Sequence, residues 1–148
     1  MARFYAAQQV GVLDGTKIPA DRADGRQVGA KKSVILASKV PGTGWAAGDD
    51  VVLGKLAPGE KLTAVRICTD TSLGSSTIAI GIAGATGKYV AARTFTTPLD
   101  VPTVIGPKAS TLDDAPLEED ETILLTVAVA TIAAGTLLTI ELETCSVK

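Results

Sequence analysis

Thr122-Ile123-Leu124-Leu125-Thr126-Val127-Ala128-Val129-Ala130-Thr131, followed beyond Ala133-Ala134-Gly135 by Leu138-Thr139-Ile140-Glu141-Leu142-Glu143, decides the fold class of this chain. Side chains of an extended backbone alternate with a period of two, which puts Ile123, Leu125, Val127 and Val129 on one face and mostly smaller residues on the other. In the second run Leu138, Ile140 and Leu142 alternate with Thr139, Glu141 and Glu143, giving one apolar face and one acidic, wetted face. The two runs are expected to form a hairpin through the Ala133-Ala134-Gly135 turn. A helix over residues 123–134 competes, because Leu and Ala are good helix formers. The density of β-branched residues and the Gly-Thr turn beside them favour strand.

Working outward, Thr77-Ile78-Ala79-Ile80-Gly81-Ile82 sets three isoleucines against small residues, a strand with one buried face. Gly81 is costly inside a strand and marks a bulge or a close backbone approach. After the turn Gly84-Ala85-Thr86-Gly87, Tyr89-Val90-Ala91-Ala92-Arg93 is the expected return strand. Lys61 to Thr69 is strand-like with a mixed register. Ser33 to Ser38 and Val51 to Leu56 read as two short strands around the turn-rich Pro41-Gly42-Thr43-Gly44. Residues 1–32 show neither period and are expected to be an extended N-terminal arm. Residues 33–148 then form one all-β domain of seven or eight short strands, an antiparallel β-sandwich of jelly-roll-like type.

Composition agrees with one domain plus an arm. Of 148 residues, 46% are hydrophobic but only 3% aromatic, so Val, Ile, Leu and Ala must build the core. A formal net charge of -2 provides no general field for nucleic acid or an acidic membrane surface, so neither is expected as a partner. Met1-Ala2-Arg3-Phe4-Tyr5 runs into Gln8-Gln9 without the apolar core of a signal peptide, which points to synthesis in the cytosol. Ile123 to Ala134, the longest nearly apolar stretch, is far short of the roughly 20 residues that span a bilayer. Cys68 and Cys145 lack zinc-knuckle spacing. They are expected to be small buried apolar residues, with a disulfide the less favoured alternative.

Histidine is absent, which removes Ser-His-Asp and Cys-His catalysis, and the chain is expected not to be an enzyme. Gly81 to Tyr89 has the wrong glycine spacing for a phosphate-binding loop, and Gly42 to Gly48 misses the dinucleotide fingerprint. Asp113, Asp114, Glu118, Glu119, Asp120 and Glu121 crowd together but lack the alternating oxygen ligands of a calcium loop. A solvated loop or docking surface is expected there, with no metal and no cofactor. No pair drawn from that cluster, or from Asp49 and Asp50, is singled out for glycoside hydrolysis. Trp45 is expected to anchor a loop, with ligand contact as the alternative.

What remains is a charge asymmetry. In the arm Arg3, Lys17, Arg22, Arg26, Lys31 and Lys32 oppose Asp14, Asp21 and Asp24, whereas residues 99–121 set seven acids against Lys108. Opposite patches suit docking between subunits. The candidate interaction residues are therefore Arg3, Phe4, Tyr5, Arg22, Arg26, Lys31, Lys32, Trp45, Asp113, Asp114, Glu118 and Glu119.

Leu53-Gly54-Lys55-Leu56-Ala57-Pro58-Gly59-Glu60-Lys61-Leu62, then Leu73 to Gly84, then Lys88-Tyr89-Val90-Ala91-Ala92, resemble the small β-sandwich head decoration or cement proteins of tailed bacteriophages and prophages. The opening Met1-Ala2-Arg3-Phe4-Tyr5-Ala6-Ala7 is similar too, although the group commonly carries an acid where this chain has Ala85-Thr86. The resemblance implies a virion structural protein on the capsid surface, homo-oligomeric with a trimer favoured, bound to the major capsid protein. It brings no catalytic residues. A head-to-tail or tail-associated virion component and a carbohydrate-binding module, using Trp45 and Tyr89 on one exposed face, are the alternatives.

Overall fold

The computed structural model describes residues 31–38, 40 and 42–146, and the period-two pattern becomes strands throughout them. These are β1 (Lys31–Ser38), β2 (Asp50–Leu56), β3 (Glu60–Thr69), β4 (Thr77–Ile82), β5 (Ala85–Thr94), β6 (Leu99–Gly106), β7 (Glu121–Ala128) and β8 (Leu138–Ser146). A single helical turn, α1 (Ala109–Leu112), lies between β6 and β7. The strands form two four-stranded antiparallel sheets, in the orders β1-β8-β3-β6 and β2-β7-β4-β5. First pairs with last, second with seventh, third with sixth and fourth with fifth. That is the connectivity of a jelly roll, a long hairpin rolled into two facing sheets.

Burial follows the alternation. Val65, Ile67, Ile140 and Leu142 from one sheet join Ile78, Ile80, Ile123, Leu125 and Val127 from the other in one cluster, each at most 2% exposed. Burying each of these side chains contributes roughly 1.5–3 kcal/mol, and among the described residues the aliphatic layer fills the sandwich with Tyr89 and Phe95 as its buried aromatics. The mixed register of residues 61–69 has a local cause. The β3–β8 pairing shifts between Leu62 and Ala64, and the bulge reverses the facing of the rest of β3.

Two expectations are corrected. The final two strands have the expected buried faces, but they do not pair with each other: β7 lies between β2 and β4, while β8 lies between β1 and β3. Residues 129–137 carry the chain from one sheet to the other. Alternation determines which face is buried; it does not say which strand lies alongside. Second, β7 stops at Ala128, and Val129 leaves the strand with φ 70° and 73% exposure instead of joining the apolar face. The acidic stretch that begins at residue 99 also holds a strand that the period-two pattern does not mark, β6. Pro102 argues against a strand in sequence, yet β6 is a sheet edge, where a missing N–H is tolerated.

Other readings hold with sharper detail. The expected hairpin of residues 77–93 exists as β4–β5, but it turns at Ala83-Gly84 with Gly84 at φ +80°, and Ala85, Thr86 and Gly87, expected in the turn, open β5. A Cβ on Gly81 would lie 2.1 Å from the Ala85 carbonyl oxygen, the close approach that its place in a strand suggested. The first strand starts at Lys31, paired with Ser146, two residues before the sequence pattern begins.

Candidate interaction surfaces

The jelly roll sorts its loops to two ends. One end gathers residues 42–49, 70–76, 95–98 and 129–137; the other gathers 57–59, 83–84 and 107–120. Trp45 belongs to the first end. Its N–H donates to the Ile132 carbonyl at 3.0 Å and its carbonyl accepts from Ile132 N–H at 2.8 Å. The half-buried side chain packs on the core, so Trp45 is the loop anchor. Beside it a cleft of about 530 Å³ opens between residues 70–74 and 131–136, lined largely by Thr, Ser, Gly and Ala. Asp49 accepts the Ala46 N–H at 2.7 Å and Asp50 accepts the Thr126 hydroxyl at 2.5 Å, so both carboxylates hold local structure.

The acidic segment belongs to the opposite end. Leu117 fixes it there, donating its N–H to the Glu60 carbonyl and accepting from Gly59 N–H, with its side chain against the core. The six acids then divide by role. Asp120 pairs with Lys55 at 2.5 Å, an exposed bridge of small energetic weight. Glu121 accepts from Lys88 and from the Tyr89 hydroxyl, the latter at 2.5 Å. Asp113, Asp114, Glu118 and Glu119 are exposed and have no ionic partner among the described residues. These four form a solvated anionic surface. The loop reading holds for them, and sequence reasoning missed that the cluster ends in a structural carboxylate.

The Lys88–Tyr89–Glu121 group depends on irregular pairing. Between Ile80 and Ile82 the β4–β5 register shifts, so Lys88 and Tyr89 sit on a bulged stretch and both reach Glu121 although they are consecutive in the strand. Burial of Glu121 opposes its ionisation, but the Lys88 and Tyr89 hydrogen bonds outweigh this and hold its carboxyl below the usual range. Burial, then the Glu121 contact, push the Tyr89 hydroxyl above its ordinary value. No spacing rule links residues 88 and 121. On the outer face of the other sheet, Arg66 donates to Glu141 and to Glu143, the latter at 2.9 Å, tying β3 to β8.

Arg3, Phe4, Tyr5, Arg22 and Arg26 lie outside the described residues. Lys31 and Lys32 start β1 in register with Ser146 and Cys145, at the end of the sandwich that carries the acidic segment. Lys31 and Lys32 therefore stand at the same end of the sandwich as Asp113, Asp114, Glu118 and Glu119, while Trp45 stands at the far end. The two cysteines are half-buried, not buried as expected. Cys68 pairs in register with Thr139 and Cys145 with Lys61, placing them at opposite ends of the ladder. Six residues of strand are about 20 Å, beyond the reach of a disulfide between the two. Tyr89 is only 5% exposed and shares no exposed face with Trp45. Among the described residues no group of three or more His, Cys, Asp or Glu is placed to hold a metal ion, and no helix is long and apolar enough to cross a membrane.

No protein-family model matches the sequence, and no curated protein matches it significantly. Solved structures do resemble the fold. The capsid of Ralstonia phage GP4 superposes with a TM-score of 0.55 at 21% identity, over 80% of this chain and 86% of that one. A chain of the cyanophage Pam1 capsid asymmetric unit superposes with a TM-score of 0.57 at 15% identity, over 92% of this chain and the whole of the other. At such identities the likeness establishes a common fold.

Proposed function

We propose that this chain is a non-enzymatic virion structural protein that decorates or cements the capsid of a tailed phage. It does so by associating with copies of itself, a trimer favoured, and by docking on the major capsid protein through its N-terminal arm, with no nucleic acid, membrane or cofactor involved. The observation that carries this reading is the shared fold with a chain of a phage capsid asymmetric unit, matched over 92% of this chain and 100% of the other. Because a fold alone does not specify a role, the surface matters as well. The basic residues Lys31 and Lys32 start β1 at the end of the sandwich that also carries four exposed acids, an arrangement suited to clasping neighbours of opposite charge. Histidine is missing from the sequence, and Asp49, Asp50, Asp120 and Glu121 are each engaged in local structural contacts, which suits a structural role.

The test is addition of purified full-length protein to mature capsids that lack it, followed by cosedimentation and particle imaging. Saturable binding at fixed lattice positions on the capsid exterior is the expected result. Occupancy only at the neck or tail would move the protein to a head-to-tail or tail component, and no binding would sink the virion role. The glycan-binding alternative loses its platform, since the Tyr89 ring is buried and its hydroxyl is engaged by Glu121.

A further inference from the structure

Along one flank of the sandwich the edge strands of the two sheets, β5 and β6, run side by side. A Cβ on Gly106 would lie 2.6 Å from the Val90 side chain, Lys108 N–H donates to the Tyr89 carbonyl at 2.8 Å, and only residues 95–98 link the two strands. Here the alternation fails. Residues 91–94 are exposed at four successive positions and residues 100–102 at three, whereas β2, β3, β4, β7 and β8 have no two successive exposed residues. Nor are these residues the polar set expected of a wetted edge: Ala91, Ala92, Val101 and Val104 dominate, both valines being 62% exposed. In residues 91–94 and 99–106 the only charges are Arg93 and Asp100, and neither has an ionic partner among the described residues.

We propose that this β5–β6 flank is the contact surface between copies of the chain, with Arg93 of one copy paired to Asp100 of the next and the exposed Val101 and Val104 of β6 covered in the same contact. Charge complementarity selects the occupant. Cation and anion sit on different strands of one flank, so the surface is complementary to itself. Both lie near the 95–98 link, hence at the same level along the sandwich, and copies related by an axis running along the strands bring Arg93 level with its neighbour's Asp100. Joining is through side chains and not by adding strand to strand. Pro102 offers no N–H, and register shifts interrupt both edges, features that prevent open-ended sheet growth. The inference deepens the proposed role by naming the surface used for self-association.

Sedimentation and light scattering of the full chain, measured together with capsid binding, test it. The unaltered protein is expected to form a discrete oligomer. Val101→Glu with Val104→Glu, which puts unpaired charge into the contact, is expected to weaken association by about tenfold or more while circular dichroism stays unchanged. Arg93→Asp should weaken it, and adding Asp100→Arg should restore it. A monomeric unaltered protein, or an oligomer indifferent to both sets of changes, would overturn the flank as interface. An oligomer that responds as expected yet ignores capsids would instead overturn the virion role alone.

Discussion

Glu121 takes hydrogen bonds from Lys88 and from the hydroxyl of the buried Tyr89, so removing its carboxylate strands a donor away from water. Glu121→Leu is expected to cost about 2 kcal/mol, read as a shift in the urea midpoint, with Tyr89→Phe in the same background costing little more. Because the folded pKa of Glu121 lies below its ordinary 4.5, its contribution is whole above that pH and is lost as pH falls through the folded value. Glu121→Gln should therefore flatten the loss of stability that sets in as pH falls below the ordinary carboxylate range. Val129 carries the opposite kind of tension, a β-branched residue at φ 70° with 73% of its surface in water. Val129→Asn tolerates that backbone and should stabilise by about 1 kcal/mol, raising Tm by roughly 2–4 °C. Neither residue announced itself. Glu121 looked like one acid among six, and Val129 continued an apolar period whose end only the backbone reveals.

At the scale of the element, Gly81 and Gly42 make a matched test. A side chain on Gly81 runs into the Ala85 and Thr86 carbonyls, while one on Gly42 meets nothing within 4 Å. Gly81→Val should cost about 3 kcal/mol or more in chemical unfolding, and Gly42→Ala should change little. A tolerated Gly81→Val would mean that the β4–β5 hairpin is looser than drawn. Alternation exposed most strands because it records burial directly, as Ile78–Ile80 and Leu138–Ile140–Leu142 show. It failed where burial is not the rule: β6 is an edge interrupted by Pro102, and residues 61–69 lost their phase at a bulge. Neighbours were the harder problem. Residues 122–128 and 138–146 face each other across the core, and no turn residue distinguishes that from a hairpin.

For the whole molecule, the sandwich class followed from aliphatic composition and short strands, but the division of the surface did not. Trp45 and the exposed acids were nominated together, and the rolled topology sends them to opposite ends. Deleting residues 1–30 leaves every residue of β1 to β8 in the chain, so the truncated protein is expected to melt cooperatively near the full-length Tm while binding capsids more weakly. Undiminished occupancy would defeat the role of the arm. Since Cys68 and Cys145 stand about 20 Å apart by register, reductant should leave Tm unaltered. The pairing of β1 with β8 has one more result. Ile35 and Leu142, register partners, are over a hundred residues apart in sequence, so a nascent chain on the ribosome holds β1 without its neighbour until almost the last of these residues emerges. Closing that pair is a long-range and therefore slow step, and the waiting strands need shielding from aggregation in the meantime.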